Sequence, residues 1–242
     1  MSSPVLMQND KHANLKATRS GDYTRYKERH LIPIVAQDFF NLASEFPLVF
    51  VKNGDSGDFI PVAVMSLREG QNLYCATDQW QALVVPLSFS NAPFSIARTD
   101  AEGDQFAVLI DEDSPMLSET EGEPLFKEGG EKTDYLEQRI DSIVHVSQQV
   151  QQTQAICKLL VEKNLLTTSQ IQLQHRPDGR TYNIDGIYTV NETVLNELTD
   201  AEFLELRDKG LIAMIGAHLS SLQQLRRISQ MQYEADKAAG EY

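Results

Sequence analysis

"TDYLEQRIDSIVHVSQQVQQTQAICKLLVEKN", residues 133–164, contains neither glycine nor proline. Leu136, Ile140, Ile143, Val150, Cys157 and Val161 step by three, four or seven residues, which places them on one stripe of an α-helix. A continuous helix over this stretch would be about 50 Å long. Ser147 and Gln154 fall on the same stripe, so its centre either breaks or crosses a polar gap. The fold turns on this segment, because the pattern before it has a different period.

Upstream, the reading is mostly β. "LIPI" (31–34) is short and apolar, and "AQDFFNLASEF" (36–46) fits a short helix. "PLVFV" (47–51) and "FIPVAVMSL" (59–67) flank "KNGDSGD", whose Asn-Gly and Ser-Gly pairs tolerate positive φ and predict a β-hairpin. "NLYCA", "QALVVPL", "FSIAR" and "FAVLI" read as further strands of an antiparallel meander. Downstream, "IQLQH" and "RTYNIDGIYTV" flank "RPDG" as a second hairpin. Thr199 and Glu202 form a capping box that opens "DAEFLELRDK", and Gly210 closes that helix. A last helix carries Leu219, Leu222, Leu225 and Ile228, and the terminal "YEADKAAGEY" reads as frayed.

The expected fold class is therefore α+β. A polar arm over 1–22 precedes an antiparallel β-rich half over 23–128, a curled sheet or small barrel. A helix-rich half over 129–242 holds the long helix and a β-hairpin. The halves are separate domains or one interleaved domain.

With 41% hydrophobic and 23% charged residues the composition is that of a globular chain. The net charge of −14 repels phosphate backbones and anionic lipid, so no nucleic-acid binding is expected. The longest apolar run, "LIAMIGAHL" (211–219), is about half of what a bilayer span needs, so no membrane insertion is expected. Arg226-Arg227, the densest basic cluster, is too small to carry such binding. The N-terminus lacks a basic start followed by an apolar stretch, which predicts a cytoplasmic protein, or one that reaches the cell surface by a signal-less route. Cys75 and Cys157 share no CxxC spacing and read as two buried thiols.

The candidate motifs mostly fail on chemistry. Gly54-Asp55-Ser56-Gly57 resembles a protease nucleophile motif, but only 55 residues precede Ser56, too few for the barrel that chymotrypsin-like enzymes place there. "LIDEDSPMLSETEGEPLF" (109–126) holds six carboxylates. Tested as a calcium loop from Asp111, it puts Met116 where a glycine is required and Gly122 where a glutamate is required. No two of the five histidines sit at a metal-ligand spacing, and no phosphate-binding glycine loop is present, so no cofactor and no metal are expected. Trp80, the only tryptophan, either floors a ligand pocket or sits in the core. A ligand or partner surface would draw on Trp80, Asp111, Asp113, Pro115, Glu123 and Phe126, with no residue assigned to catalysis.

"MSSPVLMQNDKHANLK" (1–16), "HLIPIVAQDFFNLASEFPLVFVKNGDSGDFIPVAVMSLREGQNLYC" (30–75), "DQWQALVVPLSFSNAPFSI" (78–96), the acidic run 109–126 and "GIYTVNETVLNELTDAEFLELRDKGLIAMIGAHLSSLQQL" (186–225) together resemble the bacterial SapC family in content and order. One departure is Asn91-Ala92, where the family often carries a basic–aromatic pair before Pro93-Phe94. The resemblance implies a link to the surface layer or to transport. It implies a non-catalytic accessory protein whose partner is a protein or a small molecule and which could form a homo-oligomer. The alternative is a small-molecule binding protein or enzyme with a carboxylate-lined pocket between the two halves. In the leading reading the acidic run is a connector whose carboxylates face water while its prolines and apolar residues dock.

Overall fold

The glycine-free segment is one unbroken α-helix, Asp134–Glu162, in the computed structural model, which describes residues 4–18, 23–54, 56–75, 79–98, 106–177 and 179–241. In chain order the first elements are β1 (Val5–Leu6), α1 (Asn9–His12), β2 (Lys16–Ala17), β3 (Leu31–Pro33), α2 (Phe39–Leu42), β4 (Leu48–Lys52) and β5 (Phe59–Val64). There follow β6 (Phe94–Arg98), β7 (Phe106–Ile110), β8 (Leu117–Ser118), β9 (Glu123–Pro124) and α3 (Asp134–Glu162). The chain ends with β10 (Leu166–Leu173), β11 (Tyr182–Val190), α4 (Glu192–Asn196), α5 (Asp200–Asp208), α6 (Leu211–Ser221) and α7 (Leu225–Ala238).

The chain forms two compact units, each built from two segments: Met1–Gly21 with Leu87–Gln148, and Asp22–Pro86 with Gln149–Tyr242. The first unit contains two antiparallel three-stranded sheets, β1-β7-β6 and β8-β2-β9. Residues 4–18, within the stretch expected as a polar arm, supply β1, α1 and β2. Residues 1–3 and 19–22 of that stretch lie outside the described residues. The core of this unit is Ala17, Phe94, Ile110, Leu125, Leu136 and Ile143, with Phe126 beside them.

The second unit is built on an antiparallel five-stranded sheet in the order β10-β11-β4-β5-β3. The β4–β5 hairpin forms as predicted, pairing Val49 with Val62 and Phe50 with Pro61. Its turn is closed by Asn53 and Asp58 (N–H to O, 2.8 Å), with Gly57 at φ 74°. Asp55 in that turn and Asp178 in the second hairpin lie outside the described residues. The second hairpin starts earlier than its apolar pattern suggested, at Leu166, and carries a bulge between Ser169 and Ile171. Gly186, at φ 71°, lies on the opposing strand there. The capping box of Thr199 and Glu202 opens α5, and Gly210, at φ 73°, separates α5 from α6.

Four expectations are corrected. The strands do not close into a barrel; the sheets are open. The β-rich first half and helical second half hold only in part, because β10 and β11 supply two of the five strands of the main sheet. "NLYCA" and "QALVVPL" are not strands. The Asn72 side chain accepts the N–H of Tyr74 at 3.0 Å and curls Leu73–Cys75 into a 3₁₀ turn, while Leu87–Asn91 forms another. Ala76 lies outside the described residues. The C-terminal stretch is helical to Ala238 rather than frayed, and Asp236 on it is buried.

α3 does not break. Its buried positions, Leu136, Ile143, Val146, Thr153, Cys157 and Leu160, drift off the predicted stripe, which leaves Val150 and Val161 each 42% exposed. Buried Thr153 is satisfied: its hydroxyl donates to the Gln149 carbonyl at 2.7 Å and accepts the Ala36 N–H at 2.8 Å. Among the described residues no helix is long and apolar enough to cross a membrane.

Candidate functional site

β8 and β9 lie on either side of β2, so residues 117–124 of the acidic run wrap around the N-terminal strand. Lys16 is paired with both Ser118 and Pro124, and Ala17 with both Leu117 and Glu123. Gly122 permits the crossing. Its φ is +108°, and a Cβ there would stand 2.6 Å from the Ala17 carbonyl oxygen. The Ser118 hydroxyl accepts the N–H groups of Thr120 and Glu121 at 3.1 Å and tightens the bend.

Asp113, Pro115 and Glu123 are exposed, and Asp111 is half-buried, its backbone tied to Pro93. Phe126, with Leu125, is packed into the core of the first unit. Trp80 belongs to the second unit, in an aromatic cluster with Tyr23, Tyr74 and Phe46 at centroid distances of 5.6, 5.8 and 6.1 Å. Its indole N–H donates to the Val84 carbonyl at 2.8 Å. Three of the six candidate residues thus face solvent, of which Glu123 alone lies on the segment that wraps β2, and the two aromatic ones are packed against other rings or apolar side chains. Among the described residues no three His, Cys, Asp or Glu side chains gather closely enough to hold a metal ion.

Glu112, in the same acidic run, meets Lys11 at 2.6 Å and buried His12 at 2.8 Å. Lys11 first, and His12 second, hold its carboxyl below the usual range. A separation of about a hundred residues hides such a pairing from motif reading.

The nucleophile candidates are equally occupied. Ser56 is exposed and its hydroxyl accepts the Asp58 N–H at 3.2 Å, a turn contact. The thiol of Cys75 donates to the Tyr23 carbonyl at 3.3 Å. Cys157 is buried and its pKa is pushed up to about 12, by desolvation first and by Asp58 second. A thiol so raised stays protonated at neutral pH and is a poor nucleophile.

Beside Cys157 the C-terminal half of α3 walls a groove of about 340 Å³ against Lys52, Asp58 and Phe59. A second, more apolar groove of about 170 Å³ adjoins it along Ile60, Pro61 and Val150. The two share Phe59 and Gln154. Val161 and Val150, the two exposed valines of the helix, line one groove each. Lys158 and Glu162 join Lys52 and Asp58 in the larger one, and the Lys52 ammonium lies 6.0 Å from the Phe59 ring centroid.

No curated protein matches the chain, and neither does any solved structure. The family model of SapC does, over residues 7–228, which takes in every strand but β1, the long helix and the acidic wrap around β2. The chain belongs to the SapC family.

Proposed function

We propose that the protein is a non-catalytic binding protein that seats an apolar stretch of a partner polypeptide along the groove between α3 and the start of β5. The carrying observation is the exposure of Val150 and Val161, the two large apolar side chains of α3 left open to solvent. Valines left 42% exposed beside Phe59, Ile60 and Pro61 form a surface that gains free energy when another apolar surface covers it. Lys52, Lys158, Asp58 and Glu162 at one end can pair with flanking charges of either sign. What weighs against turnover is the raised pKa of Cys157 and the exposure of Asp113, Glu119, Glu121 and Glu123 on the acidic run. The family resemblance supports a setting in the bacterial surface layer or in uptake. Two buried free thiols are in keeping with a reducing compartment such as the cytoplasm.

A photoreactive amino acid placed at position 161 tests this in the cells that make the protein. The reading expects one discrete crosslinked product, lost when Val150→Glu is added and absent when the photoreactive group is moved to exposed Glu128. The absence of any crosslink from a folded protein would overturn it, as would a small-molecule substrate recovered chemically altered.

A further inference from the structure

β10 (Leu166–Leu173) is an outer strand of the five-stranded sheet, paired on one side only, with β11. The phase of its backbone is fixed at one end. The Leu165 carbonyl accepts the N–H of Asn191 at 2.8 Å, while the N–H of Val190, opposite Leu166, turns away from β10 to His218. Antiparallel strands alternate in this respect, so Leu166, Thr168, Gln170 and Gln172 direct their N–H and C=O groups away from β11. None of these backbone groups has a hydrogen-bond partner among the described residues. The bulge does not blunt this edge, because its extra residue lies on β11, where Asp185 and Gly186 stand opposite Gln170. The usual guards of an edge strand are missing as well: from Asn164 to Gln174 there is no proline and no ionisable side chain. β3, at the other edge of the sheet, is three residues long and ends in a proline.

We propose that β10 is a dimerisation edge, along which a second copy of the chain lays its own β10 antiparallel about a twofold axis through Ser169. That axis matches all four outward-facing residues: Thr168 meets Gln170 of the second copy, and Leu166 meets its Gln172. The four pairs exchange two hydrogen bonds each, about eight in all, and join two five-stranded sheets into one. Charge favours a second copy as the occupant. Chains of net charge −14 repel one another over most of their surface, and this edge lets two of them meet without setting like charges side by side. Asp185 is one strand further in, on β11. The twofold also brings Glu162, just before β10 in one copy, toward Arg176, just past it in the other, so opposite charges flank each end. Lys163, beside Glu162, is already held by Glu205 at 2.8 Å. β10 lines neither of the valine-bearing grooves, so the two readings are independent.

Sedimentation velocity of the full chain over a wide concentration range, with amide exchange followed by NMR at both extremes, tests the assignment. A reversible monomer–dimer equilibrium is expected, with the amides of Thr168 and Gln170 slowed in the dimer only. Thr168→Lys combined with Gln170→Lys sets lysine opposite lysine across the axis. It should weaken the dimer by about tenfold or more, even though it lowers the net charge. Thr168→Lys combined with Gln170→Glu sets opposite charges there and should keep the dimer. Both positions are exposed, so both double variants should melt with the parent under monomeric conditions. Val150→Glu should leave dimerisation unchanged. A parent chain that stays monomeric throughout would overturn the proposal. So would a dimer whose Thr168 and Gln170 amides exchange freely, or one that the two double variants affect alike.

Discussion

The imidazole Nε2 of His218 accepts the backbone N–H of Val190 at 3.1 Å, which fixes α6 to the end of β11 through a side chain that is fully buried. Desolvation lowers the His218 pKa from 6.5 to about 4, against a smaller opposing pull from the Leu48 backbone. The acceptor role requires neutral Nε2, so the fold depends on the unprotonated ring.

That dependence has a definite sign. Above pH 6.5 the ring is neutral in both folded and unfolded chains, and His218 adds no slope. Between 6.5 and 4 only the unfolded chain takes up the proton, so stability falls as pH falls. The loss totals about 3 kcal/mol for this one group and levels off below pH 4. Urea denaturation between pH 4.5 and 7.5 should show this slope, and His218→Gln should flatten it while lowering the plateau. An unchanged slope in the variant would refute the assignment.

Asp236 is the anchor of α7. Its carboxylate, 1% exposed, accepts from the Gln232 amide at 2.9 Å, from Arg68 at 3.1 Å and from the hydroxyl of Tyr182. Asp236→Ala strands these donors and should cost about 3 kcal/mol, the range for breaking a buried charged pair. Thermal denaturation measures the loss. Trypsin should then cut at Lys237, which the intact protein protects within its last helix.

Gly122 and Gly129 separate backbone strain from steric conflict. Both have φ near +110°, but only at Gly122 would a Cβ meet other atoms, the Ala17 carbonyl among them. Gly129→Ala should cost about 1 kcal/mol for its φ alone. Gly122→Ala should cost more, about 3 kcal/mol with the collision included. Equal melting temperatures for the two variants would mean that the wrap around β2 yields easily.

The acidic run divides into docked and solvated parts, and paired substitutions read the division. Phe126→Ala opens the core of the first unit and should cost about 3–5 kcal/mol. Asp113→Ala, at an exposed carboxylate, should stay within about 0.5 kcal/mol of the parent. Equilibrium denaturation of both variants checks this, and a strongly destabilised Asp113→Ala would give that carboxylate a structural role.

Local chemistry made part of this architecture legible. Gly57 announces the β4–β5 turn because few other residues adopt its φ of 74°, and Thr199 with Glu202 announces a helix start because the two side chains satisfy each other's N–H groups. The absence of glycine and proline announced α3. Interactions between distant residues were not legible. β2 is two residues long and acquires its identity from partners about a hundred residues away, which no period can reveal. "NLYCA" has the composition of a strand, but Asn72 bends its own backbone before pairing can begin. The exposure of Val150 and Val161 escaped because sequence periodicity shows that a stripe exists but not which of its members find neighbours.

Because each unit draws on two segments far apart in the chain, neither can assemble as the polypeptide leaves the ribosome in order. β2 must wait for residue 124 before both its neighbours exist, and the inner edge of β4 stays bare until Ile187 and Tyr188 have been translated. The nascent protein therefore carries unsatisfied strand edges through most of its synthesis, the interval in which a chaperone would have the most to shield.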